Sequence, residues 1–311
     1  MRSLMLFGIF TALAVGTSCR VDHAIEAEDS WFYSRRPTQH LTTAVGSDSL
    51  HWTQVGQGRD TLVLVHGFGP YPSVQWQPVV WKFSPTTIIL VVDLLGFGES
   101  TSPDSAISVS QQVEVLRAAL GSRGINSIHL VGHSYGGMVS TLFASRYPEM
   151  LKSLVLIDPL HRHYDLNHLD SLQHLWGRPI EEVLLPRDVE SYDAMMKVSV
   201  HDPFFLPEFV KQQVLDNIYS VNLSQREAML RAVRRDQVLI RNQALGANVP
   251  TLLLWGAEDA LFPVQGSEDL ARDFPQSSTV VVPKAGHIPH MERPFVVLDF
   301  LAEFFSAQSP K

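Results

Sequence analysis

Six short runs rich in valine, isoleucine and leucine constrain the fold of this 311-residue chain more than any other feature. They cover residues 61–65, 87–92, 127–131, 154–157, 251–255 and 278–282. Near-continuous apolar runs of this length are typical of strands that are buried on both faces, and longer amphipathic segments separate them. We therefore predict an α/β fold with a mostly parallel central sheet flanked by helices. In such sheets, ligands bind at the carboxyl ends of the strands.

The strand pattern stops between residues 159 and 235, where the sequence predicts helices. We expect this segment to form a helical cap inserted between two core segments, residues 40–158 and 236–311. One set of apolar cap residues recurs at helical spacing: Phe209, Val210, Val214, Leu215 and Ile218. We expect this stripe to pack against the core, because amphipathic helices bury their apolar face.

Residues 1–19 have the layout of a signal peptide. Arg2 supplies a positive charge, residues 4–16 are apolar, and small residues precede Cys19. The apolar run is shorter than the roughly 20 residues of a membrane-spanning helix, so we expect a cleaved leader and an exported protein. Cys19 is the single cysteine, and its position resembles a bacterial lipobox, although Gly16 stands where leucine is usual. A periplasmic or secreted protein and a lipoprotein anchored to the membrane through Cys19 both stay open.

The charge balance and the remaining motifs argue against nucleic acid, nucleotide and metal. The formal net charge is -8 at pH 7, and no cluster of lysine and arginine could neutralise phosphates. Residues 96–98 lack the third glycine of a dinucleotide site, and no Walker phosphate loop is present. His161, His163, His168 and His174 fit no compact set of metal ligands. We therefore expect no cofactor and no metal.

Ser134 stands in the pentapeptide Gly132-His133-Ser134-Tyr135-Gly136, between a predicted buried strand and a predicted helix. This is the setting of a nucleophile elbow, in which the serine sits on a strained strand-to-helix turn. The flanking glycines permit that turn, because they lack side chains. The pattern predicts that Ser134 is a nucleophile.

A serine nucleophile requires a general base and a carboxylate that orients the base. Asp259 follows one predicted strand and His287 follows the next, in the chain order that is typical of this kind of site. We assign Asp259 and His287 to these roles. His290 is the rival base.

Two other carboxylates compete with Asp259 as the orienting acid. Glu258 is its direct neighbour, and Asp158 follows the run at residues 154–157. The oxyanion of the tetrahedral intermediate requires backbone N–H donors. We expect these donors to be Tyr135 N–H, after the nucleophile, and Phe68 N–H, in the loop after residues 61–65.

Four segments together resemble the α/β-hydrolase superfamily: His66-Gly67-Phe68, residues 93–100, residues 132–137 and Gly286-His287. The resemblance covers about residues 50–305. Within it, the His-Gly-Phe loop and the helical insertion resemble capped serine esterases and lipases, including the monoacylglycerol-lipase-like ones. Relatives with an aspartate nucleophile share the elbow, but Ser134 stands at that position here.

These residues and the resemblance predict a carboxylic ester hydrolase that works through an acyl-enzyme on Ser134. Because the predicted cap is apolar, we expect lipid-like substrates with a medium or long acyl chain, such as monoacylglycerols. Amide hydrolysis, carbon–carbon bond hydrolysis and cofactor-free perhydrolysis use the same three side chains and stay open. A ligand-binding protein without turnover is the alternative from another class.

Overall fold

The computed structural model describes residues 20–69, 72–241 and 248–308. The predicted signal peptide and Cys19 lie outside this part of the chain. Among the described residues, no helix combines the length and the apolar character needed to cross a membrane.

Eight strands form one sheet. They are β1 (Thr38–Val45), β2 (Asp48–Val55), β3 (Thr61–Val65), β4 (Ile88–Val92), β5 (Ile128–His133), β6 (Leu151–Ile157), β7 (Thr251–Gly256) and β8 (Ser277–Val282). Their order is β1-β2-β4-β3-β5-β6-β7-β8, and every neighbouring pair from β4 to β8 is parallel. The predicted α/β fold with a mostly parallel sheet is confirmed.

The six apolar runs correspond to β3 through β8, with boundaries that differ by at most a few residues. The sequence pattern missed β1 and β2, which pair antiparallel with each other at one edge of the sheet. Strand β1 is an edge strand whose side chains are all partly or fully exposed. Such a strand needs no continuous apolar run, which is why the pattern did not reveal it.

Successive side chains of the central strands point to opposite faces of the sheet, as the twofold repeat of a strand requires. Val63 and Val65 pack into the apolar layer on one face, and Leu62 and Leu64 pack into the layer on the other. The covering helices of the core are α1 (Val21–Ser34), α2 (Pro72–Phe83), α3 (Val109–Ser122), α4 (Ser134–Arg146), α10 (Gly266–Ala271), α11 (Pro289–Glu292) and α12 (Pro294–Gln308). Burial on both faces explains why these strands are so apolar.

The chain between β6 and β7 is helical. It contains α5 (Leu166–Trp176), α6 (Ile180–Leu184), α7 (Val189–Ser199), α8 (Glu208–Val214) with a following π-helical turn (Leu215–Tyr219), and α9 (Leu223–Arg241). Helix α9 continues past residue 235, where we placed the end of the cap, so the division into core and cap stays a prediction.

The predicted apolar stripe is only partly buried. Val210, Leu215 and Ile218 lie in an apolar cluster, and this cluster includes Val21, the first residue of α1. Phe209, however, exposes 49% of its surface. Helix α1, which the sequence pattern did not reveal, therefore packs against the segment between β6 and β7.

Candidate active site

Ser134 lies at a sharp turn where β5 ends and α4 begins. Its backbone φ is 54°, in the left-handed region that a residue with a side chain rarely adopts. Two glycines let the neighbouring loop approach this turn. A Cβ on Gly136 would lie 2.3 Å from the carbonyl oxygen of His66, and a Cβ on Gly67 would lie 3.0 Å from Ser134 Cβ. The strained turn at Ser134 therefore packs directly against the backbone at the end of β3.

Hydrogen bonds join the three predicted site residues. His287 Nε2 lies 2.8 Å from Ser134 Oγ, and His287 Nδ1 lies 2.8 Å from Asp259 Oδ2. All three residues are buried. Asp259 Oδ1 accepts backbone N–H groups from Leu261 at 2.8 Å and Phe262 at 2.9 Å. The carboxylate is thus fixed on one side by its own loop and faces the imidazole with its other oxygen.

Glu258, the rival acid, and His290, the rival base, take no part in the hydrogen bonds among Asp259, His287 and Ser134. Glu258 accepts the backbone N–H of Ala285 at 3.0 Å. His290 is buried, stacks on Trp76 with ring centroids 4.9 Å apart, and has no hydrogen-bond partner among the described residues. Burial lowers the pKa of His290 to about 3. His290 is therefore a neutral packing residue in this structure.

Asp158, the other rival acid, lies fully buried at the end of β6. Its Oδ1 accepts the backbone N–H of Gly256 at 2.9 Å, while Oδ2 has no hydrogen-bond partner in the described part of the chain. Burial raises the pKa of Asp158 well above its usual range, and the charge of Asp259 raises it further. This environment favours the neutral acid, since two buried carboxylates side by side cannot both carry charge at low cost.

The loop after β3 carries Phe68, whose ring meets the ring of Tyr135 edge to face at 5.5 Å. His66 holds this loop in place: its Nδ1–H donates to the Gly67 carbonyl at 2.6 Å, and its Nε2 accepts Leu94 N–H at 3.0 Å. Burial lowers the pKa of His66, which favours the neutral ring that this pattern requires. Tyr135 is the second residue of α4, so its N–H has no partner within the helix.

His133, inside the pentapeptide, supports the loop at residues 283–288, which carries His287 and which we call the histidine loop. Its Nε2–H donates to the backbone carbonyl of His287 at 2.8 Å. Burial lowers the pKa of His133 well below its usual range, and neighbouring histidines add to this effect. Sequence reasoning assigned no role to His66 or His133. Their positions inside the two Gly-flanked motifs were the only available signal.

Glu292 connects the histidine loop with the segment after α7. Its Oε1 accepts the N–H of Gly286, and its Oε2 accepts the N–H of His201, both at 2.8 Å. The N–H of His287 itself donates to the carbonyl of Ser199 at 3.0 Å. The backbone of His287 is thus bonded directly, and that of Gly286 through Glu292, to the helical segment between β6 and β7.

A cavity of about 580 Å³ opens beside Ser134 and His287. Helix α1 and the helices between β6 and β7 supply most of its apolar lining: Val21, Ile25, Leu169, Leu184, Met195, Met196, Val210, Val214, Ile218, Leu230 and Val233. Phe68, Tyr135 and Phe262 line the part near the serine. Its volume and mostly apolar wall with a few polar groups are typical of small-molecule sites.

One group in the described residues has the spacing of metal ligands, namely Asp158, Asp259 and His287, whose ligand atoms lie within 4.8 Å of one another. Both ring nitrogens of His287 already have protein partners, Ser134 and Asp259. The predicted cap histidines have other contacts: His163 Nε2 bonds to Asp273 Oδ2 at 2.8 Å, and His168 Nε2 bonds to the Ala260 carbonyl at 3.2 Å. Hydrogen bonds therefore occupy both ring nitrogens of His287 and the Nε2 atoms of His163 and His168.

Comparison with known proteins identifies the family of this chain. The family model for the alpha/beta hydrolase fold matches residues 60–294. The human monoacylglycerol lipase ABHD6 is 28% identical over 266 residues, which cover 81% of this chain and 78% of the relative. Lipase 1 of Psychrobacter immobilis is 29% identical over 301 residues, covering 95% of this chain and 90% of the relative.

A solved structure, that of a membrane phospholipase A described as a bacterial virulence factor, superimposes with a TM-score of 0.81. It is 23% identical and covers 99% of this chain and 98% of its own, a likeness that concerns the fold. Since the family model matches most of the chain, this protein belongs to the alpha/beta hydrolase fold family.

Proposed function

We propose that this protein is a serine hydrolase that cleaves carboxylic esters of lipids through an acyl-enzyme on Ser134. The observation that carries the proposal is the unbroken series of hydrogen bonds from Asp259 through His287 to Ser134, with both bonds at 2.8 Å. A hydroxyl is a poor nucleophile at its own pKa, and an adjacent imidazole oriented by a carboxylate removes that limitation. The relatives named as lipases support the ester chemistry.

In the proposed reaction, Ser134 Oγ attacks the ester carbonyl while its proton passes to His287 Nε2. Asp259 accepts the Nδ1–H of His287, which holds the reactive tautomer and stabilises the imidazolium. The tetrahedral intermediate then expels the alcohol, which takes the proton from His287. Water, activated by His287 in the same way, breaks the Ser134 ester and releases the acid.

The proposed oxyanion donors are the backbone N–H groups of Phe68 and Tyr135. The close approach of Gly67 to Ser134 supports this assignment, because it brings the loop after β3 beside the attacking oxygen. Backbone donors aimed at the developing negative charge stabilise the transition state, and removing one typically costs about 100-fold or more in rate.

The apolar cavity supports esters with a medium or long acyl chain, among which monoacylglycerols are the candidates that the lipase relatives suggest. An acyl chain that enters an apolar wall leaves water, and each buried methylene contributes about 0.8 kcal/mol. The helices between β6 and β7 would act as the cap that provides this wall, with residues 159–235 as cap and residues 40–158 and 236–311 as core.

The test combines an active-site probe with a panel of substrates. We expect a fluorophosphonate probe to label the folded protein, and a Ser134→Ala variant to lose the label and at least about 10⁴-fold of its ester hydrolysis. Ser122→Ala, on α3 and outside the cavity, serves as the matched control and should keep both. Absence of labelling in the folded protein would favour a ligand-binding protein.

The substrate panel comprises p-nitrophenyl esters from acetate to palmitate, a monoacylglycerol and an amide. We expect kcat/KM to rise with chain length up to the size of the cavity. Activity confined to acetate, or to the amide, would contradict the proposed substrate class.

We also propose that residues 1–19 direct export and that Cys19 is lipidated, which attaches the protein to a membrane. The apolar run at residues 4–16 and the small residues before Cys19 support this. Metabolic labelling with palmitate should mark the protein and should fail with Cys19→Ala. Equal labelling of both forms would overturn the lipidation.

A further inference from the structure

We propose that three phenylalanines beside the cavity form a docking surface for a lipid membrane. We call Phe204, Phe205 and Phe209 the aromatic rim. The inference rests on the proposed hydrolysis of lipid esters and adds to it a route by which substrate passes from a bilayer to Ser134.

The three phenylalanines of the aromatic rim are exposed to solvent, although large apolar side chains are usually buried. Phe205 exposes 86% of its surface, Phe209 exposes 49% and Phe204 exposes 37%. The neighbouring Leu206 and Val210 are buried. The inward residues thus anchor the segment and leave the phenylalanine rings in water. All three phenylalanines lie within the six residues 204–209, and large apolar side chains exposed together mark interaction sites in proteins.

The aromatic rim is continuous with the cavity. Phe204 both lines the cavity and faces solvent, and Leu206 and Val210 line the cavity from within. The apolar wall therefore extends from the region of Ser134 to the outer surface at the rim. A lipid acyl chain that leaves a bilayer in contact with the rim would stay on apolar surface on its way into the cavity.

The position of helix α1 identifies a membrane as the occupant. The N–H of Val21 donates to Gln213 Oε1 at 2.8 Å, and the Val21 side chain packs in the same cluster as Leu206 and Val210. The chain that precedes Arg20 therefore joins the described protein next to the aromatic rim. Cys19, whose lipidation we propose above, directly precedes Arg20. Stable membrane attachment generally takes two signals, and the rim would supply the second beside the first.

The charges near the rim predict which membranes it binds. Asp202 precedes the three phenylalanines in sequence, Glu208 lies between Phe205 and Phe209, and both acidic residues are exposed. The basic residue before Val21, Arg20, forms an ion pair with Asp22. We therefore expect docking to depend on insertion of the rings at the apolar boundary rather than on anionic headgroups. We therefore expect zwitterionic phosphatidylcholine to suffice.

The experiment compares a membrane substrate with a dissolved one, using the full chain. The double variant Phe205→Ser/Phe209→Ser changes residues that do not line the cavity. Trp81→Ser is the matched control, since Trp81 is 50% exposed and lies on α2 outside the cavity lining. The substrates are a monoacylglycerol embedded in phosphatidylcholine vesicles and dissolved p-nitrophenyl butyrate.

We expect the double variant to lose about tenfold or more of its activity on vesicles, since two large rings no longer enter the bilayer. Its activity on dissolved ester should stay within about twofold of that of the unchanged protein, as should both activities of Trp81→Ser. Unchanged vesicle activity in the double variant would overturn the docking surface. So would an equal loss on both substrates, which would indicate damage to the cavity.

Light scattering separates a membrane from a second copy of this chain as the occupant. A change from dimer to monomer in the double variant, without a selective loss on vesicles, would mean that the rim is a protein interface and would overturn the proposal. If the unchanged protein hydrolysed no dissolved ester at all, the proposed function itself would fail, which is a separate result.

Discussion

Two regions line the cavity: the carboxyl ends of the strands, where Ser134 lies, and the helical segment between β6 and β7. They differ in how polar they are and in what holds their side chains. At the carboxyl ends of the strands, hydrogen bonds hold the side chains of Asp259, His287 and Ser134 in place. The helical segment presents an apolar wall to the same cavity and leaves Phe205 almost fully exposed. From this contrast we expect the first region to set the type of reaction and the second to select the substrate.

The two regions meet at the histidine loop. Glu292 accepts N–H groups from both Gly286 and His201, and His287 N–H donates to Ser199. A displacement of the helical segment would therefore pull on the backbone of His287. The separation of chemistry from selectivity can be tested in each region and at this junction.

The largest loss of activity is expected from a substitution at the carboxyl ends of the strands, where Ser134, His287 and Asp259 lie. Asp259→Asn should lower kcat by about 10³- to 10⁴-fold, because an amide no longer holds His287 in the tautomer that accepts the Ser134 proton. Steady-state kinetics on p-nitrophenyl butyrate measure the loss. Asp158→Asn is the matched control and should cost less than about threefold, since Asp158 is already favoured as a neutral acid. A larger loss with Asp158→Asn than with Asp259→Asn would reverse the assignment of the orienting carboxylate.

The next effect is expected at the junction. Glu292→Gln replaces one acceptor oxygen with an amide donor that faces a backbone N–H group. We expect kcat to fall about tenfold with little change in KM for a short dissolved ester, since His287 shifts while the cavity persists.

The control for the junction is Glu258→Gln, which alters a carboxylate bonded to the same loop at Ala285 but not to the helical segment. It should cost less than about threefold. Equal losses in the two variants would show that loop rigidity matters rather than the connection to the helical segment.

The smallest effect on hydrolysis of short esters is expected from a substitution in the apolar wall of the cavity. Met196→Trp adds volume to a residue that lines the cavity, so kcat/KM for long-chain esters should fall about tenfold. Hydrolysis of p-nitrophenyl acetate should stay within about threefold. Val238→Trp, at a 52% exposed position of α9 outside the cavity lining, should alter neither activity. A parallel loss on acetate and palmitate would contradict the division of roles between the two regions.

The sequence predicted the parts of the molecule whose pattern is local. The runs that became β3 to β7 were recognisable because strands buried on both faces must be apolar throughout. Strand β8 was also found by its apolar run, although it lies at the other edge of the sheet and most of its side chains are partly or fully exposed. The turn at Ser134 was recognisable because its geometry needs glycine on either side. Edge strand β1, with partly exposed side chains, carried no comparable signal and was missed.

Other features depend on residues that are distant in sequence. Val21 and Val210 line one cavity, although their separation along the chain offers no hint of contact. Phe209 fits the apolar stripe by spacing, but the structure exposes it. Helical periodicity identifies a face of a helix, whereas burial depends on what packs against that face.

The sequence by itself determined the parallel sheet, the strained turn at Ser134 and the chain order of Ser134, Asp259 and His287. These follow from short-range rules, namely apolar strand runs, glycine at tight turns and polar residues where strands end. Only the tertiary structure decided that Asp259 rather than Asp158 or Glu258 faces His287, and that α1 closes one side of the cavity. Asp259 bonds to the His287 ring at 2.8 Å, whereas Asp158 and Glu258 accept backbone N–H groups at 2.9 and 3.0 Å. No local sequence pattern encodes such distances between segments that are far apart in the chain.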